Sequence, residues 1–99
     1  MIYCFDIDGT ICETVAGDYE NALPFPKAVE KIKRLKSEGH RILFMTARGA
    51  CSGKDWTEFT AQQLKSWGLE YDELIMNRKP HADIFIDDKA LNASDWLSQ

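Results

Sequence analysis

The sequence has few cysteines and lacks the spacings that cysteine-dependent proteins use. Its three cysteines, Cys4, Cys12 and Cys51, are an odd number and contain no CxxC pair. Neither a disulfide framework nor a zinc site is therefore expected. The chain also has no apolar run near the roughly 18 residues that a membrane-spanning helix needs. We therefore expect a cytoplasmic protein without a membrane partner.

Positive charge is scarce as well. Twelve basic residues stand against 16 acidic ones, which gives a formal net charge of −4. The one basic cluster, residues 31–36, has helical spacing and indicates a solvated helix face. We therefore do not expect a nucleic-acid partner. A chain of 99 residues forms one domain, 1–99, with a modest core, which leaves a homo-oligomer open.

The hydrophobic pattern predicts four strands and three helices in the order β-α-β-α-β-β-α. Strands are expected at 1–7, 40–46, 72–76 and 82–87. Helices are expected from Pro26 to about Gly39, from an Asp55 cap to about Trp67, and within 92–99, with a long loop at 9–24. This alternation predicts an α/β protein with a mostly parallel sheet and helices on both faces.

Polar side chains follow every predicted strand. They are Asp6 and Asp8, then Thr46 and Arg48, then Lys79, and finally Asp87 and Asp88. Ligands of parallel α/β sheets bind beyond the carboxyl ends of the strands, so these groups are expected to meet at one edge. Asp6 and Asp8 lie two positions apart, a spacing that points both carboxylates to the same side of a strand.

This combination predicts a phosphate site with a divalent cation. Four carboxylates at one edge would repel one another, and Mg2+ is a cation that prefers oxygen ligands and substrate phosphate. Lys79 adds a positive charge and Thr46 a hydroxyl donor. A carboxylate beside a phosphoryl group can attack phosphorus, while a second one transfers the proton. Asp6 and Asp8 can divide these two tasks.

Four segments, "DIDGT", "FMTAR", "RKP" and "IDD", resemble in order the four motifs of the haloacid dehalogenase-like (HAD) hydrolase superfamily. The resemblance spans Asp6 to Asp88. It implies that Asp6 is the nucleophile and Asp8 the general acid/base. It further implies that Thr46, Ala47, Arg48 and Lys79 bind the substrate, and that Lys79 also orients the nucleophile.

By the same resemblance, Mg2+ is held by Asp6, the main-chain carbonyl of Asp8 and one carboxylate of the Asp87–Asp88 pair. Spacing does not decide between the two, and we favour Asp88 as the direct ligand. The aspartate at position 8 is typical of the superfamily's phosphatases, because its dehalogenases lack it. The segments between the motifs are too short for a cap domain. The resemblance implies a capless, three-layer Rossmann-like sheet with strand order 3-2-1-4.

The resulting expectation is a Mg2+-dependent phosphatase that hydrolyses a phosphomonoester through an aspartyl-phosphate. A small metabolite such as a sugar phosphate is the favoured substrate, since the chain resembles small HAD-like proteins of bacterial capsule and polysaccharide synthesis. The alternatives are a phosphatase acting on a macromolecule and a non-catalytic binding protein with the same fold. Arg48 is expected either at the leaving group or at the surface, and His81 as a structural or rim residue.

Overall fold

A computed structural model describes residues 1–78 and 80–98, so Lys79 and Gln99 lie outside the described residues. The elements are β1 (Ile2–Asp6), β2 (Cys12–Glu13), a 3-10 helix (Tyr19–Asn21), β3 (Leu23–Pro24), α1 (Pro26–Ser37), β4 (Arg41–Thr46), α2 (Thr57–Ser66), β5 (Glu73–Met76), β6 (Ile84–Ile86) and α3 (Ala93–Leu97). None of the helices in this described part is long and apolar enough to span a membrane.

The main sheet has four parallel strands in the order β5-β4-β1-β6. Numbered along the chain within this sheet, the order is 3-2-1-4, so the predicted Rossmann-like topology is confirmed. Central strands β1 and β4 pair over the whole length of β1, from Ile2 opposite Arg41 to Asp6 opposite Met45. Both strands are largely apolar because their side chains are buried in a cluster on each face of the sheet. Their carboxyl ends therefore lie next to each other.

Residues 9–24 are more structured than the loop we expected. Strands β2 and β3 form a small antiparallel pair with Cys12 opposite Pro24. Ile11 and Cys12 are almost fully buried, and they fix this segment against the core. The backbone N–H of Phe25 donates to the carbonyl of Ile11 at 2.9 Å and leads the chain into α1. Strands of two residues are too short to produce a periodic pattern, which is why the sequence did not reveal them.

Helices α1 and α2 both pack on the same face of the sheet. Ile32 of α1 and Leu64 of α2 share one core cluster with Phe5 and Phe44. The opposite face holds a smaller cluster of strand residues, among them Leu43, and no residue of α1 or α2. The first two helices therefore cover one face of the sheet. Both crossovers, β1 to β4 and β4 to β5, move in one direction, so right-handed connections place both helices on one side.

The helix boundaries follow the local signals, with one difference. Pro26 occupies the first turn of α1, as predicted. At α2 the N-cap residue is Trp56, which makes no side-chain cap bond, so the predicted Asp55 cap is wrong. The Asp55 carboxylate, one residue before the cap, accepts from the backbone N–H of Thr57 at 2.9 Å instead of making the expected bond to Glu58. Asn92 caps α3 through a bond from the Ser94 N–H at 3.0 Å. Short polar side chains start both helices because they satisfy otherwise unpaired N–H groups.

Candidate active site

The carboxyl ends of the parallel strands form an open cleft of about 490 Å³. Its walls include predicted site residues from β1, β4 and the segment after β6: Asp6, Asp8, Thr46, Ala47, Asp87 and Asp88. The topology brings these side chains together because parallel strands end at one edge of the sheet. Lys79, the predicted lysine of the third motif, is outside the described residues.

Three carboxylates in the cleft are close enough to share one cation. Asp6, Asp87 and Asp88 each offer an oxygen, and these oxygens lie within 4.8 Å of one another. Burial raises the pKa of Asp6 to about 6, and the negative charges of Asp87, Asp88 and Asp8 add to this rise. The protein thus holds a carboxylate where ionisation is unfavourable without a compensating positive charge.

A hard divalent cation fits this donor set. All of the converging groups are carboxylate oxygens, which suit Mg2+ rather than softer metals. Both Asp87 and Asp88 present an oxygen, so the geometry leaves the choice of direct ligand between them open. The Asp8 side chain is not part of the cluster. The main-chain carbonyl of Asp8 stays a predicted ligand.

The Asp8 carboxylate is held instead by Arg48. Arg48 donates from Nε to Oδ2 at 3.0 Å and from Nη2 to Oδ1 at 2.8 Å, a two-pronged pairing. The hydroxyl of Thr14 donates to Oδ1 at 2.6 Å. The Asp8 side chain keeps 27% of its surface exposed. It therefore remains accessible from the cleft while its orientation is fixed.

Arg48 is buried, in contrast to the expectation that it contacts the substrate or lies at the surface. Its exposure is 1%, and it does not line the cleft around Asp6. The remaining guanidinium nitrogen, Nη1, donates to Thr60 at 3.2 Å and to Gln63 at 2.8 Å, both on α2. The ring of Tyr19 stacks at 4.6 Å from the guanidinium carbon. A buried arginine needs such partners, and here they aim it at Asp8.

The pKa of Asp8 moves opposite to that of Asp6. Burial alone would raise the pKa of Asp8, but the hydrogen bonds and charge of Arg48 and the bond from Thr14 lower it below its usual value. The two neighbouring aspartates are therefore placed in different environments. Such separation of two carboxyl groups is typical of acid/base pairs that have different roles.

Backbone geometry positions the end of β4 and the turn after β1. The N–H of Asn77 donates to the Thr46 carbonyl at 2.8 Å, and Asn77 has a φ of +60°. Asparagine tolerates this left-handed conformation better than most residues. Gly9 has a φ of +88°, and a β-carbon there would overlap the Asp88 carboxylate. The glycine of the first motif therefore lets the first and last motifs approach each other.

Sequence reasoning did not identify the residues that hold Asp8, either directly or through Arg48. Thr14, Thr60 and Gln63 are ordinary polar residues without a motif of their own. Gln63 also donates from Nε2 to the carbonyl of Tyr19 at 2.7 Å, so it joins α2 to the segment after β1. Only their contacts with Arg48 and Asp8 reveal them. The expectation of a buried Arg48 would have pointed to polar partners such as these, but the sequence did not predict its burial.

Among the comparisons with known proteins, the one with solved structures supports the fold. The chain matches no protein-family model, and it matches no curated protein. Among solved structures, a conserved protein from Bacteroides thetaiotaomicron is 29% identical, with a TM-score of 0.72 over 92% of this chain and 78% of that one. A structural-genomics target from Vibrio cholerae is 25% identical, with a TM-score of 0.68 over 100% of this chain and 89% of that one.

A third structure carries a named activity. It is a D,D-heptose 1,7-bisphosphate phosphatase from B. bronchiseptica in complex with magnesium and phosphate. It is 20% identical, with a TM-score of 0.59 over 90% of this chain and 53% of that one. This chain therefore spans about half of that enzyme, and the likeness is one of fold. This chain therefore shares the fold of that phosphatase over the matched part.

Proposed function

We propose that this protein is a Mg2+-dependent phosphatase that hydrolyses a phosphomonoester through an aspartyl-phosphate. The favoured substrate is a small metabolite such as a sugar phosphate. The observation that carries the proposal is the contrast between two neighbouring aspartates. Asp6 lies among the carboxylates of Asp87 and Asp88, and Asp8 is fixed by the buried Arg48. In this proposal Asp6 reacts beside a cation, and Asp8 transfers a proton.

Within this proposal, Asp6, Asp87 and Asp88 would hold Mg2+ together with the Asp8 carbonyl. The ion would supply positive charge against the phosphate oxygens and against the crowded carboxylates. That charge favours the ionised form of Asp6, whose pKa of about 6 otherwise keeps a fraction protonated near neutral pH. The hydroxyl of Thr46 and the backbone N–H of Ala47, two residues that line the cleft, would offer further donors to the phosphate.

In the first step an oxygen of Asp6 attacks phosphorus, and the bond from phosphorus to the leaving oxygen breaks. Asp8 gives its proton to that oxygen, and an alcohol leaves. In the second step water attacks the aspartyl-phosphate, Asp8 takes the proton from water, and phosphate is released. The lowered pKa of Asp8 suits this second step, and a bound phosphate dianion raises the pKa for the first.

The test is phosphate release from a panel of phosphorylated metabolites, with phenyl phosphate as a simple ester, in Mg2+ and in excess EDTA after dialysis. Turnover is expected only with the divalent cation. Asp6→Asn should abolish it, because an amide is a poor nucleophile. Asp95→Asn, a change of the same kind on exposed α3, is the control.

Full turnover in EDTA would refute the metal requirement. More than a few per cent of wild-type activity in Asp6→Asn would refute the role of Asp6. A panel that includes phosphorylated peptides and nucleic-acid ends separates a small-metabolite enzyme from one that acts on macromolecules. No turnover of any ester, with phosphate esters still bound, would favour the non-catalytic alternative.

A further inference from the structure

A second cavity adjoins the candidate active site. It has a volume of about 480 Å³ and is built mainly by the segment that joins β4 to α2. Ala50 and Asn77 line both this cavity and the cleft around Asp6. The two spaces are therefore neighbours with a common wall. A molecule whose phosphoryl group lies at Asp6 has room to extend into the second space.

The wall of this cavity is built by close backbone contacts. Gly49 has a φ of +87°, and a β-carbon there would overlap the carbonyl of Lys54 and approach the ring of Trp56. The N–H of Gly53 donates to the carbonyl of Gly49 at 2.8 Å and closes the turn. Glycine at position 49 thus allows the segment to fold back on itself. This folding places residues 54 and 56 on one wall.

The aromatic part of the wall is held in place from two sides. The ring of Trp56 meets the ring of Tyr19 edge-on, with centroids 4.9 Å apart, and the ring of Phe59 at 5.3 Å. Such edge-to-face contacts are a favourable arrangement of aromatic rings. Tyr19 also stacks on Arg48, so the wall is connected to the group that orients Asp8.

Lys54 brings an uncompensated positive charge to this wall. Its ammonium lies 4.2 Å from the centroid of the Trp56 ring. The ion pairs found among the described residues do not include Lys54. The other cation at the cavity, Arg48, is neutralised by Asp8, and the Asp55 carboxylate is bound to the start of α2. Among the described residues that line this cavity, Lys54 is thus the cation available to a ligand.

We propose that this cavity is the leaving-group subsite of the proposed phosphatase, and that it accepts a second anionic group bound by Lys54. The inference rests on the proposed function for the place of the reacting phosphate. The class of substrate that fits is a small organic phosphate with a second phosphate or carboxylate. A mobile lysine over an aromatic ring can exchange this contact for a charge-assisted hydrogen bond to such a group.

The first test compares glucose 1,6-bisphosphate with glucose 1-phosphate, which differ by one phosphate. In the wild type, kcat/KM for the bisphosphate should exceed that for the monophosphate. Lys54→Ala should lower the ratio of the two values about tenfold, a typical effect of losing a charge-assisted bond, and Lys54→Glu should lower it further. Lys54→Arg should recover part of it. Lys65→Ala removes the same charge from an exposed position on α2 and should leave the ratio unchanged.

The second test measures binding without turnover. Calorimetry of the Asp6→Asn variant in Mg2+ should give a tighter Kd for the bisphosphate than for the monophosphate. Adding Lys54→Glu should remove that difference. The subsite would be overturned if, in the Lys54 variants, the kcat/KM ratio and the Kd difference both stayed within twofold of their wild-type values. Hydrolysis of phenyl phosphate would still support the proposed function in that case. Conversely, a Lys54-dependent Kd without hydrolysis of any ester would keep the subsite and refute the phosphatase.

Discussion

At the scale of single residues, the most informative feature is the pairing of Asp8 with Arg48. An exposed carboxylate can adopt several rotamers, and a proton donor must reach its target within hydrogen-bond distance. The fork of Arg48 holds both oxygens of Asp8, with Nη2 at 2.8 Å from Oδ1. Because Arg48 does not line the cleft around Asp6, we interpret it as a positioning residue.

Replacing the fork by a point charge should separate positioning from charge. Arg48→Lys keeps a cation but loses the two-pronged contact, so we expect kcat to fall about 10- to 100-fold. The pKa of Asp8 should rise, because fewer bonds favour its ionised form. The pH–rate profile should therefore move to higher pH, because Asp8 keeps the proton that it donates up to a higher pH. An assay of phosphate release from pH 4.5 to 8 measures both the fall in kcat and the shift of the pH–rate profile.

The control for this variant is Arg34→Lys, at an exposed position on α1 where the arginine pairs with Glu30. It should leave kcat and the pH profile as in the wild type. A normal kcat in Arg48→Lys with an unchanged pH–rate profile would contradict the positioning role. A lower melting temperature with unchanged kinetics would assign Arg48 to the core alone.

At the scale of elements, the site depends on turns as much as on strands. The turn after β1 contains Gly9 at φ +88°, next to Asp88 from the segment after β6. A side chain there would push the Asp88 carboxylate away from Asp6 and Asp87. The glycine thus connects the first and last motifs physically, although almost 80 positions separate them in the sequence.

Gly9→Ala should therefore weaken Mg2+ binding by about tenfold or more, because one ligand of the cluster is displaced. Gly17→Ala is a matched control, since Gly17 also has a positive φ, +76°, but no atom lies within 4 Å of its β-carbon position. Both variants carry the strain of a left-handed alanine, and only one meets Asp88. Calorimetric titration with Mg2+ measures the difference. Equal affinity in the two variants would separate Gly9 from the metal site.

The same scale explains what could be predicted from the sequence. The four sheet strands and the meeting of Asp6, Asp8, Thr46 and the Asp87–Asp88 pair followed from alternating apolar segments and from polar residues at strand ends. The strand order was implied by the resemblance of the four motifs. The β2–β3 pair did not follow from either, because its strands have two residues each. The common face of α1 and α2 depended on the direction of the crossovers, which the order 3-2-1-4 already contained.

The burial of Arg48 could not be predicted in the same way. In the sequence it stands two residues after Thr46, at a position that suits contact with the substrate. Its direction depends on α2, where Thr60 and Gln63 accept its N–H groups. These partners lie 12 and 15 positions further along the chain, and their spacing fits many unrelated helix surfaces. Long-range polar contacts of this kind leave no periodic signal.

At the scale of the whole molecule, proton and metal binding are coupled. In the ion-free protein the pKa of Asp6 is raised to about 6, first by burial and then by neighbouring carboxylates. A metal ligand must be ionised, so protons compete with Mg2+ as the pH falls through that value. A cation that binds the folded state stabilises it. Stabilisation by Mg2+ should therefore be present above pH 6 and decline below it.

Melting temperatures measured with and without 10 mM Mg2+ at pH 5 and pH 7.5 test this coupling. The increase in Tm caused by Mg2+ should be clearly larger at pH 7.5. In Asp6→Asn the increase in Tm should be small at both pH values, because the variant lacks one metal ligand and the carboxyl group that titrates. The same increase in Tm at pH 5 and pH 7.5 in the wild type would place the bound cation away from Asp6.

The open form of the cleft leads to a prediction about substrate size. Among the described residues, no segment forms a domain over the cleft, whose walls are the strand ends and the turns that follow them. Without a cover, the bulk of a leaving group meets solvent rather than protein, so size alone should cost little binding energy. Charge is a separate matter, since Lys54 adjoins the cleft.

Esters that differ in bulk, but not in charge or in leaving-group pKa, isolate this effect. Across phenyl phosphate, a naphthyl phosphate and a phosphotyrosine peptide without further charges, kcat/KM should vary less than about tenfold, equivalent to about 1.4 kcal/mol. Sharp rejection of the bulky esters would contradict an open site. It would mean that a second subunit or the segment 11–24 closes over the substrate. If a Tyr19→Ala variant then accepted bulky esters, the segment 11–24 would be the cover. If the wild type accepted them once the protein was diluted, a second subunit would be the cover.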